Sequence, residues 1–472
     1  MNTSAVSPGR AGLLLLLSGQ MLPLIDTSIT NVALDAITHT LAASATQLEL
    51  IVALYGVAFA VCLAMGSKLG DNYGRRRLFM WGVALFGIAS LLCGMANSIG
   101  ALLAARTLQG AGAALIVPQI LATLHVTLKG PAHARAISLY GGIGGIAFIV
   151  GQMGGGWLVS ADIAGLGWRN AFFINVPICL LVLALSRRYV PETRRETPSR
   201  IDWQGTLYLA LILCCLLFPM ALGPELHWPL WLQLMLVAVL PLLFAMRQSA
   251  LRQQQRGDHP LLPPRLLQLT SIRFGMAIAL LFFSAWSGFM FCMALTMQEG
   301  LGMAPWQSGN SFIALGVAYF ISALYAPRLI ARYSMGRILL TGLAVQIAGL
   351  LLLCATFSRF GVATNALTLV PATALIGYGQ ALIVNSFYRI GMRDISASDA
   401  GAVLSTLQQA TLGLGPAILG SLFLALARRG GGNYPQALID FLLVEVAMML
   451  LLGAIALWLR HHLNRQPATV AS

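Results

Sequence analysis

Charge is what this sequence has least of. Only 9% of its 472 residues are Asp, Glu, Lys or Arg and 58% are hydrophobic, whereas an average soluble domain carries about 25% charged residues and about 45–50% apolar ones. So few polar groups cannot cover a water-soluble globule. Cysteine is missing from the loops: Cys62, Cys93, Cys179, Cys214, Cys215, Cys292 and Cys354 all fall in apolar stretches without metal-ligand spacing, which argues against a disulfide framework or a zinc site. The seven histidines are scattered apart from His461 and His462 near the C-terminal end, and they receive no role. No G-x-x-x-x-G-K-[ST] phosphate loop occurs, so no nucleotide motor is expected within the chain. No nucleophile or acid–base constellation lies at a membrane face, which weighs against a membrane-embedded enzyme.

Long apolar runs are abundant. Crossing hydrocarbon about 30 Å thick takes about 20 residues, and 78–105, 107–128, 136–161, 274–298 and 400–427 hold no charged residue. Length and breakers predict an all-α polytopic protein of about fourteen spans: 11–34, 49–67, 78–98, 100–124, 136–160, 168–186, 205–223, 228–246, 274–297, 307–327, 338–357, 364–388, 400–427 and 437–459. The first run lacks a small-residue cleavage site and reads as a retained helix.

The formal net charge of +14 raises the question of a nucleic-acid partner. Topology answers it: if the N-terminus faces the cytoplasm, 24 of the 29 Lys and Arg fall on the cytoplasmic side. Arg169, Arg359, Arg428 and Arg429 fall on the other side, and Arg106 falls within a span. That asymmetry is the positive-inside pattern; both termini are then cytoplasmic, in a bacterial inner membrane, and no nucleic acid is needed. The two longest polar loops, 187–200 and 247–273, bracket two spans poor in polar residues. They divide the chain into a six-helix bundle (1–190), an inserted pair with its linkers (191–272) and a second six-helix bundle (273–472). Two related halves are common among secondary transporters.

Asp26 and Arg106 are charges deep inside their spans. An intramembrane ionisable group marks an ion or substrate path by default. Asp26 lies about 12 Å and Arg106 about 9 Å from the outer ends of their spans at 1.5 Å per residue, so the two can meet. Burial favours a neutral carboxyl and a nearby cation an ionised one; a moving Arg106 would therefore switch proton binding at Asp26. Glu299 and Glu445 are further acidic candidates. Tyr55, Tyr140, Gln152, Trp286, Gln298, Tyr319, Gln380, Asn385 and Gln408 fall on spans expected to face the centre, where sparse polar groups in an apolar cleft suit an amphiphilic ligand. Taken singly, each also reads as packing. Asp71, Gly74, Arg75 and Arg76 stand at a helix end on the basic side, either as a topology anchor or as a latch between bundles. Gly151, Gly155 and Gly156 belong to a glycine-rich span that permits close helix packing and sliding.

Several segments then resemble, in order, the fourteen-span drug:proton antiporters of the major facilitator superfamily. Residues 24–34 (LIDTSITNVAL) are close to L-D-x-T-x-V-N-V-A-L-P, with Asp35 in place of proline. Residues 66–77 (GSKLGDNYGRRR) match the cytoplasmic loop signature in Asp71, Gly74 and the arginines, with Ser67 and Asn72 departing from it. Residues 106–114 (RTLQGAGAA) match R-x-x-Q-G-x-G-A-A. Residues 151–156 (GQMGGG) are similar to G-P-x-x-G-G with Gln152 for proline, and 168–177 (WRNAFFINVP) match W-R-x-x-F-x-I-N-V-P. The resemblance covers nearly the whole chain. It implies a proton-coupled exporter of drugs or other amphiphilic compounds, working as a monomer on the proton gradient without a cofactor, with Asp26 and Arg106 as the coupling pair. An exporter of a specific metabolite or siderophore on the same fold is the alternative.

Overall fold

The computed structural model describes residues 7–391 and 397–463; Arg393, Arg465 and the two extreme ends of the chain lie outside them. Among the described residues, fourteen helices are long and apolar enough to cross a membrane: α1 (Gly9–Leu41), α2 (Ala45–Tyr73), α3 (Arg75–Met95), α4 (Ile99–Thr127), α5 (Gly130–Ser160), α6 (Arg169–Tyr189), α7 (Trp203–Leu222), α8 (Leu230–Gln255), α9 (Thr270–Gly300), α10 (Pro305–Tyr333), α11 (Met335–Ala363), α12 (Ala366–Gly391), α13 (Ala402–Arg429) and α14 (Tyr434–Leu459). The number expected from hydropathy is the number found. Helices are the outcome because hydrocarbon offers no partner for a free N–H or C=O, and a helix satisfies its backbone internally. Several run longer than the expected spans; α1 continues to Leu41 and α8 to Gln255, since a helix need not stop where the hydrocarbon does.

Local signals set the turns. Ser44 and Gln47 form a reciprocal cap, Gln47 N–H donating to Ser44 Oγ at 3.2 Å and Ser44 N–H to Gln47 Oε1 at 2.9 Å, and this starts α2 three residues after α1 ends. Gly74 separates α2 from α3 at φ +112°, a backbone setting that only glycine takes readily. The Glu192 carboxylate sits where a Cβ would be, 2.7 Å away.

Helices α1–α6 pack mainly among themselves, as do α9–α14. Between the two groups α7 rests on α2 and α13, and α8 lies outside it against α7. Close approaches rest on glycine: Gly66 of α2 meets the Ala114 carbonyl of α4, and Gly56 of α2 meets Gly413 of α13, where an added Cβ would stand 2.5 Å from the facing Cα.

The ends of the helices that carry Arg75–Arg77, Lys129 and Arg187–Arg188 define a basic face; the opposite one is called distal. Contacts between the two groups gather at mid-depth and toward the distal face. Gly156 abuts the Pro305 carbonyl, Trp306 N–H donates to Ser160 Oγ at 3.1 Å, and Trp157 packs on Trp306 at 5.7 Å. Toward the basic face, Gly141 and Gly144 of α5 look into open space. The two groups are therefore joined distally, and the space beside Gly141 and Gly144 lies toward the basic side.

Candidate functional site

Asp26 lies in α1 three residues after Pro23, which removes one backbone donor from the helix. Its carboxylate is fully buried. Arg106 of α4 donates from Nη1 to Asp26 Oδ2 at 2.5 Å. The other oxygen, Oδ1, accepts from Gln109 Nε2 at 2.8 Å and Asn175 Nδ2 at 3.4 Å. The guanidinium is held in turn: Nε donates to the Ile51 carbonyl at 3.0 Å, Nη1 also donates to Gln109 Oε1 at 2.7 Å, and the Tyr55 ring lies over it at 4.3 Å. Ser90 Oγ accepts from Gln109 at 2.9 Å and Asn175 at 3.3 Å.

This network draws on α1, α2, α3, α4 and α6, with α4 supplying both Arg106 and Gln109 and α2 both the Ile51 carbonyl and the Tyr55 ring. A charge pair sealed from water must be fully hydrogen-bonded, because desolvation otherwise exceeds the attraction; here both carboxylate oxygens and the guanidinium are engaged. The pair is internal to the first helix group.

Sequence reasoning brought Asp26 and Arg106 together and missed the partners that orient them. Gln109 and Asn175 stand inside the motif segments 106–114 and 168–177, so their positions were marked although their roles were not. Ser90 and the Ile51 carbonyl carried no signal.

The residues expected on the chamber wall divide. Trp286 of α9 and Tyr319 of α10 meet edge to face at 5.8 Å, beside Phe282 and Phe283, and form an aromatic wall. Tyr140, Asn385 and Gln408 are half-buried. Gln152 and Gln380 are buried; Gln152 has neither amide atom hydrogen-bonded, nor does Gln380 its Oε1. Tyr55 and Gln298 lie elsewhere than on the wall. Tyr55 turns into the charge pair, its hydroxyl donating to the Pro23 carbonyl at 3.3 Å. Gln298 joins the groups distally, donating from Nε2 to the Asn31 carbonyl at 2.9 Å and accepting from Asp35 N–H at 3.1 Å.

Gly151 and Gly155 press on Ser28 and Ile29 of α1, beside a π turn at Val150–Gly154, and Gly156 presses on α10. Asp71 pairs with Arg75 at 2.5 Å, Arg75 donates to Thr193 Oγ1 at 3.2 Å, and Arg76 reaches Glu192 at 3.8 Å. In this state the Asp71 cluster grips the linker after α6 rather than the second helix group. Glu299 is exposed beside Tyr434, whereas Glu445 is buried with one oxygen unpaired.

The sequence model of the Major Facilitator Superfamily matches residues 16–420. The chain is 32% identical to a probable actinorhodin transporter of Streptomyces coelicolor, over 88% of this chain and 72% of that one. It is 30% identical to the multidrug resistance protein Stp of Mycobacterium tuberculosis, over 86% and 74%, and 29% identical to a tetracenomycin C resistance and export protein of Streptomyces glaucescens, over 89% and 76%. A crystal structure of a POT family transporter with 5-aminolevulinic acid superposes with a TM-score of 0.69 at 11% identity, over 96% of this chain and 98% of that one, a likeness of fold. Among the described residues, fourteen helices long and apolar enough to cross a membrane, in a chain matched by that family, define a multi-pass membrane transporter. The chain belongs to the Major Facilitator Superfamily, whose members act on small-molecule substrates.

Proposed function

We propose that this protein is a proton-coupled exporter of amphiphilic small molecules, working by alternating access in a bacterial inner membrane with its basic face toward the cytoplasm. The observation that carries this reading is the Asp26–Arg106 pair, sealed in one helix group and joined to α2, the helix that also meets α13 at Gly56. Export and resistance named for its relatives support the direction of transport. On this reading a chamber between the groups opens to the cytoplasm, where substrate enters against the Trp286–Tyr319 wall and the half-buried Tyr140, Asn385 and Gln408; Gln152, with both amide atoms unbonded, and Gln380, with Oε1 unbonded, meet its polar groups. Rocking of 1–190 against 273–472, with 191–272 riding on the crossing of α2 and α13, turns the chamber outward. Gly151, Gly155 and Gly156 let α5 slide during that motion, and the Asp71–Gly74–Arg75–Arg76 cluster releases the linker to latch the closed cytoplasmic side. Arg106 then separates from Asp26, which takes up an external proton and releases it inside when the pair re-forms. The protein acts as a monomer.

The test is efflux from proteoliposomes under an imposed pH gradient, across a panel that includes actinorhodin, puromycin and tetracenomycin C. Uphill movement of at least one compound that stops when the gradient is collapsed is the expected result. Gradient-independent leakage of every compound would overturn the reading.

A further inference from the structure

Glu49 was assigned no role by its motif context, yet it is fully buried where three helices from three parts of the chain meet: α2, α13 and α7. Its Oε2 stands 3.1 Å from Ser421 Oγ of α13, and Ser421 Oγ stands 2.8 Å from the Met220 carbonyl of α7. A serine hydroxyl has one proton to give. The Met220 carbonyl has no helical donor to replace it, because the residue four on is Pro224, which has no N–H. Ser421 Oγ lies in donor range of both oxygens, and one proton cannot fill both contacts: an ionised Glu49 would draw it and strand the Met220 carbonyl, whereas both contacts are made in full when Glu49 is a protonated carboxylic acid donating to Ser421. An ionised Glu49 would face two oxygens' worth of desolvation with one unpartnered atom, Oε1, and no ion pair among the described residues.

The titratable groups around it do not alter this. Arg428 on α13 and Glu225 after α7 act on it at longer range with opposite signs, Ser421 is its one recorded hydrogen-bond partner, and the neighbouring groups on α9 and α14 are Cys292 and Glu445, neither a cation. Glu49 Oε1 lies beside Gly420 of α13, 3.3 Å from where a Cβ would stand.

We propose that Glu49 is a proton-binding site that latches the distal gate: protonated, it donates to Ser421, which donates to Met220, and α2, α13 and α7 are tied shut; ionised, it drives them apart to reach water. Its proton enters and leaves on the distal side, so Glu49 sets when the gate closes and adds nothing to the protons exchanged per substrate at Asp26. The naming of sides rests on the proposed function; the latch itself does not.

The experiment uses spin labels at Thr40→Cys and Arg429→Cys, on the distal ends of α1 and α13, in a full-length variant with its seven native cysteines replaced and its efflux verified. Pulsed electron paramagnetic resonance reads the distance across the gate from acidic to alkaline pH. The parent should gain an open population as pH rises. Glu49→Gln keeps a donor toward Ser421 and should stay closed throughout, with turnover slowed by up to about tenfold, the effect of one neutral hydrogen bond, and an unchanged proton count per substrate. Ser421→Ala removes the acceptor and should lose the closed population even at acidic pH. A parent gate indifferent to pH, or a Glu49→Gln gate that keeps the parent's response, overturns the latch. If no substrate responds to a pH gradient but the gate still follows pH through Glu49, the exporter reading fails while the latch stands.

Discussion

At the scale of single residues, the Asp26 network makes asymmetric demands on its members. Asp26→Asn keeps the shape and removes titration, so the protein should fold, bind substrate and lose gradient-driven efflux. Parallel measurements of substrate binding and efflux check this, and efflux at the parent rate would place coupling elsewhere, with Glu299 and Glu445 next in line. Arg106→Ala removes a partner that engages α1, α2 and α4 at once and leaves an uncompensated buried carboxylate; breaking such a pair costs about 3–5 kcal/mol, part of which the carboxyl recovers by taking up a proton. Gln109→Leu leaves Asp26 Oδ1 with the 3.4 Å bond from Asn175 alone and should cost about 1–3 kcal/mol. Because the three share one network, thermal unfolding of Asp26→Asn/Arg106→Ala should show a loss smaller than the sum of the single losses.

At the scale of helices, the spans were legible because hydrophobic length and breakers read directly as bilayer crossings, and the depth of Asp26 and Arg106 followed from rise per residue. What crosses between helices was not legible. Gln298 was expected on the chamber wall from its polarity, but its contacts to Asn31 and Asp35, more than 260 residues earlier in the chain, depend on how the groups lean together. Glu49 is the first residue of the expected second span, 49–67, and received no reading from the sequence; α2 instead starts at Ala45, and Glu49 is buried where α13 and α7 meet it. Gly56 is the same kind of case: one glycine among 48, decisive only because Gly413 faces it. Gly56→Leu should hold α2 off α13 and keep the distal side open. Labelling of Asn31→Cys, at a position now almost fully buried, by an impermeant maleimide from the distal side should rise in that variant, and labelling equal to the glycine parent would refute the closing role of this contact.

At the scale of the whole molecule, the energy source follows from what the fold can and cannot move. The chain carries no phosphate-binding loop, and its sealed ion pair lies in one helix group that must shift against the other for the chamber to change face. On the proposed function, work enters as a difference in proton binding between two packings of the same helices, and a ligand shifts such an equilibrium only by its differential affinity. In inverted vesicles the distal face lines the lumen, so an acid lumen supplies protons on the side where the proposed cycle loads Asp26 and should drive substrate inward. The uptake should begin when the gradient is imposed, persist after nucleotide is depleted, and stop on adding an ionophore that equalises pH. Asp26→Asn in the same vesicles should show no uptake above the collapsed-gradient baseline while Glu49→Gln shows slowed uptake that still needs the gradient. Uptake that survives the ionophore and stops on nucleotide depletion would mean that the sealed pair is structural and that the work enters through a partner outside this chain.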